Sequence, residues 1–110
     1  MLSNFLGTEF HTQAVLRDVE DERSYQNEKW GQQSHPDGTG RPGDEFEAAN
    51  AKLICGQNLP HQDNWRDILN EEVWEAFAET DPVRLREELV QVAAVAVAWI
   101  EAIDRREEAK

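Results

Sequence analysis

An all-α fold follows from three features of the sequence. Apolar and polar residues recur at helical spacing with no convincing strand pattern, Gly and Pro gather between long stretches that lack them, and Asp81-Pro82 is a strong helix-opening pair. Residues 11–30 contain neither Gly nor Pro, and Val15, Val19, Glu22, Gln26 and Lys29 fall at helical spacing, which predicts a polar first helix ending at Gly31. Residues 31–45 hold four of the six Gly and two of the four Pro, so a long loop is expected, either functional or mobile at that length. Asp44 with Glu47 resembles a capping box opening a second helix from Glu45 to about Cys55, which Gly56 should end. Asp63 or Asn64 can cap a third helix over 65–79, and Asp81-Pro82 starts a fourth that runs to about Arg106. The connection between these two is about three residues, short enough to force an antiparallel helical hairpin.

The 110 residues are expected to form a single domain, 1–110, with a globular composition that includes four Trp and four Phe. Eleven Lys and Arg face 23 Asp and Glu, a formal charge of -12, which disfavours an electrostatic grip on nucleic acid or membrane and favours cationic partners, divalent metals among them. One cysteine, Cys55, excludes an internal disulfide, and the first ten residues show no secretory pattern, so a cytoplasmic protein is expected. From Leu89 to Ile100, eleven of twelve residues are apolar, too short a run to span a bilayer. A helix apolar on nearly every face must bury more than one of them, and this predicts a homo-oligomer with the fourth helix at a subunit contact.

On a helical wheel, Ile68, Leu69, Val73 and Ala76 form the inner stripe of the third helix, with Glu72 in its middle and Glu75 and Glu79 on its flank. Glu71 points further round. The stripe of the fourth helix is Leu85, Leu89, Val92, Ala96, Trp99 and Ile103, with Glu88 on its edge and Gln91 one turn on. Glu75 and Glu88 stand equally far from the Asp81-Pro82 turn, and so do Glu72 and Gln91, so an antiparallel hairpin makes them two matched rungs one turn apart. Three carboxylates on an apolar face repel one another and lose hydration, which costs several kcal/mol per ion unless something positive is present. Oxygen donors without His or Cys suit Mg²⁺, Mn²⁺ or Ca²⁺ rather than zinc. Mg²⁺ completes its shell with water and phosphates, so the natural substrate is a phosphorylated molecule and the natural reaction metal-assisted hydrolysis. The plainer alternative pairs Glu75 and Glu88 with Arg84, Arg86 or Lys29.

Glu71-Glu72-Val-Trp-Glu75, followed by Arg86-Glu87-Glu88-Leu-Val-Gln91, resembles the EExxE and ExxD signature of MazG-like, all-α nucleoside triphosphate pyrophosphohydrolases. The segment Arg23-Ser-Tyr-Gln26-Asn-Glu-Lys29-Trp30-Gly31 is similar to the preceding helix in short MazG-like proteins of bacteria and phages, and the likeness covers about residues 17 to 106. It implies a four-helix bundle, a homodimer or homotetramer, and Mg²⁺-dependent cleavage of an NTP or dNTP to monophosphate and pyrophosphate. Carried over by motif, the metal ligands are Glu72, Glu75 and Glu88, and the fourth position, an Asp in the family pattern, falls on Gln91. Gln can offer a carbonyl oxygen but neither charge nor a base. Glu71 or Glu75 would orient or deprotonate the attacking water. Lys29 and Arg41 are candidates to hold the β and γ phosphates, Trp30 or Trp65 to stack on the base, and Gln26 or Asn64 to read its edge.

Other features read more plainly. His35-Pro-Asp37 and His61-Gln-Asp63 lack a third ligand, the Gly-rich stretch lacks a P-loop's Gly-Lys-Ser/Thr and is a flexible lid at most, and Cys55 reads as packing rather than a nucleophile. Beside the hydrolase stand two alternatives: a nucleotide-sequestering protein of the same fold with little turnover, and an acidic decoy for a basic groove on another protein.

Overall fold

The computed structural model describes the backbone of residues 2–58 and 62–110 and the side chains of residues 11–58 and 62–110. It contains four helices, α1 (Leu2–Trp30), α2 (Asp44–Gln57), α3 (Trp65–Ala78) and α4 (Pro82–Glu108), and no strand among the described residues. No helix is long and apolar enough to cross a membrane. The chain divides into two compact units, one formed by Asp37–Ala96 and the other by α1 with Val97–Lys110.

In the unit built from α1 and the end of α4, Val15 is 2% exposed and Val97 9%, the apolar residues from which water is excluded. Glu101 is buried beside them at 8% exposure, and the Thr12 hydroxyl donates to its Oε1 at 2.8 Å. A buried carboxylate needs such a donor, because losing its hydration uncompensated costs several kcal/mol. His11 Nε2 lies 3.7 Å from a Glu108 oxygen. α1 starts at Leu2 rather than at residue 11 and passes through Gly7. One helical glycine costs only about 1 kcal/mol relative to Ala, and extending an existing helix is far easier than starting one.

In the unit Asp37–Ala96, α2 packs against α3, and the small buried residues Ala51 and Ala76 mark where water is excluded, with Leu85 of α4 buried too. The capping box expected of Asp44 and Glu47 does not form. Gly43 holds the N-cap position at φ 93°, without a side chain to cap with, and Asp44 is already the first helical residue. The Asp44 carboxylate turns back to accept the Arg41 backbone N–H at 2.8 Å, while Asp44, Glu45 and Glu47 complement the helix dipole. Gly56 does not end α2, which runs on to Gln57, where the Asn58 N–H reaches the Cys55 carbonyl at 3.3 Å.

Of the two cap candidates for α3, Asn64 serves: its Oδ1 accepts the Asp67 N–H at 2.8 Å. Asp81 caps α4 as its sequence predicts, accepting the Arg84 N–H on its carboxylate at 3.0 Å and the Leu85 N–H on its carbonyl at 2.8 Å. Glu79 Oε1 accepts the backbone N–H groups of Thr80 and Asp81 at 3.2 and 3.1 Å, so the turn between α3 and α4 is closed from both sides. The apolar stripe of α4 is less covered than the wheel suggests. Leu85 is buried and Val92, Ala96 and Trp99 are half-buried, but Leu89 is 51% exposed and Ile103 is exposed as well.

Candidate functional site

The closed turn at 79–81 decides the site, because it returns α4 alongside α3 with Glu88 beside Glu72 and Glu75. One carboxylate oxygen from each of these three lies within 4.8 Å of the others, and all three residues are half-buried. Glu72 and Glu75 share a face of α3 because they are one turn apart. Glu79, which the wheel places on the same flank, is instead committed to the turn.

At an effective dielectric of about 20, two unit charges 4.8 Å apart repel by about 3 kcal/mol. Three such pairs would cost close to the whole stability of a small domain, about 5–15 kcal/mol, so the cluster must either hold protons or hold a cation. Several observations agree. Oε2 of Glu72 and Oε2 of Glu88 are buried without a hydrogen-bond partner. Burial, and then the charges of Glu88 and Glu71, push the Glu72 carboxyl above the usual carboxylate range. Glu75 is pushed up by burial and then by the charges of Glu72, Glu88 and Glu71. Among the described residues the ion pairs are His11 with Glu108 and Lys110 with Glu107, neither of which involves the trio, and Arg84 and Arg86 are exposed.

The donor set fits a hard divalent cation. Oxygens on opposite sides of Mg²⁺ stand about 4.2 Å apart and around Ca²⁺ about 4.8 Å, so three oxygens within 4.8 Å of one another are close enough to share such an ion. Glu71 is half-buried and close enough to raise both Glu72 and Glu75, and it adds to the burial that pushes the Cys55 thiol on α2 up to about 11. Gln91, on α4 one turn beyond Glu88, is exposed.

The substrate-binding candidates belong to both units. Asn64 is occupied by the cap of α3, its Nδ2 also donating to Asp67 Oδ2 at 2.9 Å. Trp65 is half-buried in the first turn of α3. Arg41 is exposed and lines an open cleft of about 340 Å³ with Gly40, Gly43, Glu45, Ala78 and Thr80. Gln26, Lys29 and Trp30 lie on α1, in the other compact unit. There Gln26 bonds Arg23 at 2.8 Å and Glu22 at 3.2 Å, and the Lys29 ammonium sits 4.9 Å over the Trp30 ring. His35 bonds Gln33 at 3.0 Å, and His61 lies outside the described residues.

Sequence reasoning missed two contacts. The Gly-rich segment is pinned at Gly40, whose N–H donates to the Phe77 carbonyl at 2.8 Å, satisfying one of the last carbonyls of α3. A Cβ at Gly40 would run into the Thr80 methyl, and its φ of 75° also favours glycine. Asp67 gathers the amides of both Asn58, at 3.2 Å, and Asn64, fixing how α2 and α3 sit. Only the glycine signal was visible beforehand. No protein-family model, curated protein or solved structure matches the chain.

Proposed function

We propose that the protein is a Mg²⁺-dependent nucleoside triphosphate pyrophosphohydrolase that cleaves an NTP or dNTP to monophosphate and pyrophosphate. The observation that carries the reading is the trio Glu72, Glu75 and Glu88, with oxygens within 4.8 Å and two of them buried without a partner. The likeness of the two motifs to the MazG-like signature supplies the reaction. Glu72, Glu75 and Glu88 would hold Mg²⁺ or Mn²⁺ in their ionised form. When bound, the ion supplies an acidified water and charge to offset that on the phosphate oxygens. Glu71 or Glu75 would orient that water and take its proton, Arg41 is placed on a cleft that would admit phosphates, and Trp65 offers an aromatic face.

The exposed apolar residues of α4, Leu89 at 51% and Val90 at 54%, support a homodimer or homotetramer with α4 in the contact.

The test is pyrophosphate release from a panel of ribo- and deoxyribonucleoside triphosphates with Mg²⁺. The wild type should release it, and Glu72→Ala should cut the rate by about a hundredfold or more, the usual scale for losing a group that stabilises developing charge. A second reading is favoured by Gln91, which is exposed and brings no charge: a nucleotide-binding protein with little turnover. It predicts saturable binding by an inert wild type and pyrophosphate release from Gln91→Asp. A wild type and Gln91→Asp that neither bind nor cleave any nucleotide contradict both.

A further inference from the structure

α2 packs one side against α3 and leaves the opposite side open. Its covered side carries Ala51, which is buried, with Ala48 and Cys55 half-buried beside it. On the far side Phe46 is 70% exposed and Leu53 58%, and the exposed Ala49, Asn50 and Gln57 complete one helical stripe with them. Charged residues make up 31% of the chain, yet none falls within this stripe. Glu45 and Lys52 stand together on one flank of it, both exposed, and among the described residues neither forms an ion pair within the chain. The order of these residues makes the face complementary to itself. When two copies of α2 lie antiparallel about a twofold axis, one register sets Phe46 against the partner's Leu53 at each end of the contact. Ala49 and Asn50, the shortest side chains of the stripe, then fall at its centre, where the helices approach most closely. Like flanks meet in such a pair, so the same register brings Glu45 alongside the partner's Lys52, and does so twice. A parallel pairing would instead set Glu45 on Glu45 and Lys52 on Lys52, which like-charge repulsion disfavours.

We infer that the outer face of α2 is an interface with a second copy of this chain, paired antiparallel through Phe46 and Leu53 and keyed by Glu45 and Lys52 on its rim. With 14 residues α2 is about 21 Å long, so this contact is smaller than the roughly 800 Å² per partner of a standard interface. It therefore joins pairs of chains already held along α4 rather than single chains. Two different twofold contacts on each chain close into an assembly of four. The inference rests on the α4 contact proposed above, and it selects the homotetramer over the homodimer.

The test is analytical ultracentrifugation of the full chain over a range of concentrations, with far-UV circular dichroism to keep loss of the contact apart from loss of fold. The wild type should reach four chains, and Phe46→Glu with Leu53→Glu should stop at two. Lys52→Glu and Glu45→Lys should each weaken the joining of pairs into fours by about tenfold or more. The double variant, which exchanges the two charges, should recover it to within about threefold. A folded Lys52→Glu that still forms four chains as readily as the wild type overturns the proposal, as does a double variant no better than the single ones. A wild type of one chain removes the α4 contact and this one together. A wild type of two chains that Leu89→Glu with Val90→Glu separates removes only the α2 contact.

Discussion

At Glu72 two demands conflict: its helix face is apolar and half-buried, yet its carboxyl sits among Glu75, Glu88 and Glu71 with one oxygen lacking any partner. The consequence is a pH dependence of defined sign. Glu72 and Glu75 both titrate above their ordinary value in the folded chain, so without metal the native state binds more protons than the unfolded one over that window. Their protonated forms therefore contribute stability fully below the ordinary carboxylate value, and that contribution is lost as pH rises through the raised folded value. In EDTA, Glu72→Gln should raise Tm by about 3 °C at pH 7.5 and change it little at pH 4.5, as followed by circular dichroism. Mg²⁺ should reverse the order at pH 7.5, stabilising the wild type and leaving Glu72→Gln behind, because the ion binds the deprotonated trio. A Glu72→Gln chain destabilised in EDTA at pH 7.5 would mean that the carboxylate is engaged with an unseen cation of the protein itself.

Among the elements, the caps and the loop anchor bear the stability that places the trio. Asp81→Ala removes the acceptor for the Arg84 N–H and should cost about 1 kcal/mol, lowering Tm by about 4 °C. Two glycines should respond oppositely to Ala. Gly40→Ala meets Thr80 at positive φ and should destabilise by about 1–3 kcal/mol, whereas Gly56→Ala, helical and facing open space, should stabilise by about 0.5–1 kcal/mol. Thermal melts of the two variants side by side check the contrast. These elements also show what is legible in a sequence. Asn64 and Asp81-Pro82 cap as predicted because capping depends only on a few adjacent residues. Asp44 misleads because Gly43 can enter the left-handed region and take the cap position from it, an outcome decided by backbone conformation rather than residue type. The matched rung of Glu75 and Glu88 could be read from distance to the turn. The bond of Asn58 to Asp67 could not, since it depends on how α2 packs against α3 and on a connection with no periodicity of its own.

For the whole molecule, the composition and the surface point the same way. A chain of charge -12 gathers three carboxylates whose charge a cation would offset, and α4 leaves Leu89 and Val90 half open, a surface that the proposed oligomer would cover. Burying a Leu and a Val contributes about 1.5–3 kcal/mol each, so replacing them should break a contact along α4. Leu89→Glu with Val90→Glu should reduce the mass seen by analytical ultracentrifugation to that of one chain, while a wild type already sedimenting at 12.6 kDa contradicts the oligomer. The central claim is that Glu72, Glu75 and Glu88 together form one divalent-cation site. Its most direct test is Mn²⁺ binding followed by electron paramagnetic resonance with a nucleoside triphosphate analogue present. The account predicts that Glu72→Gln and Glu88→Gln each lose binding that the wild type shows; equal Mn²⁺ uptake by all three chains would contradict it.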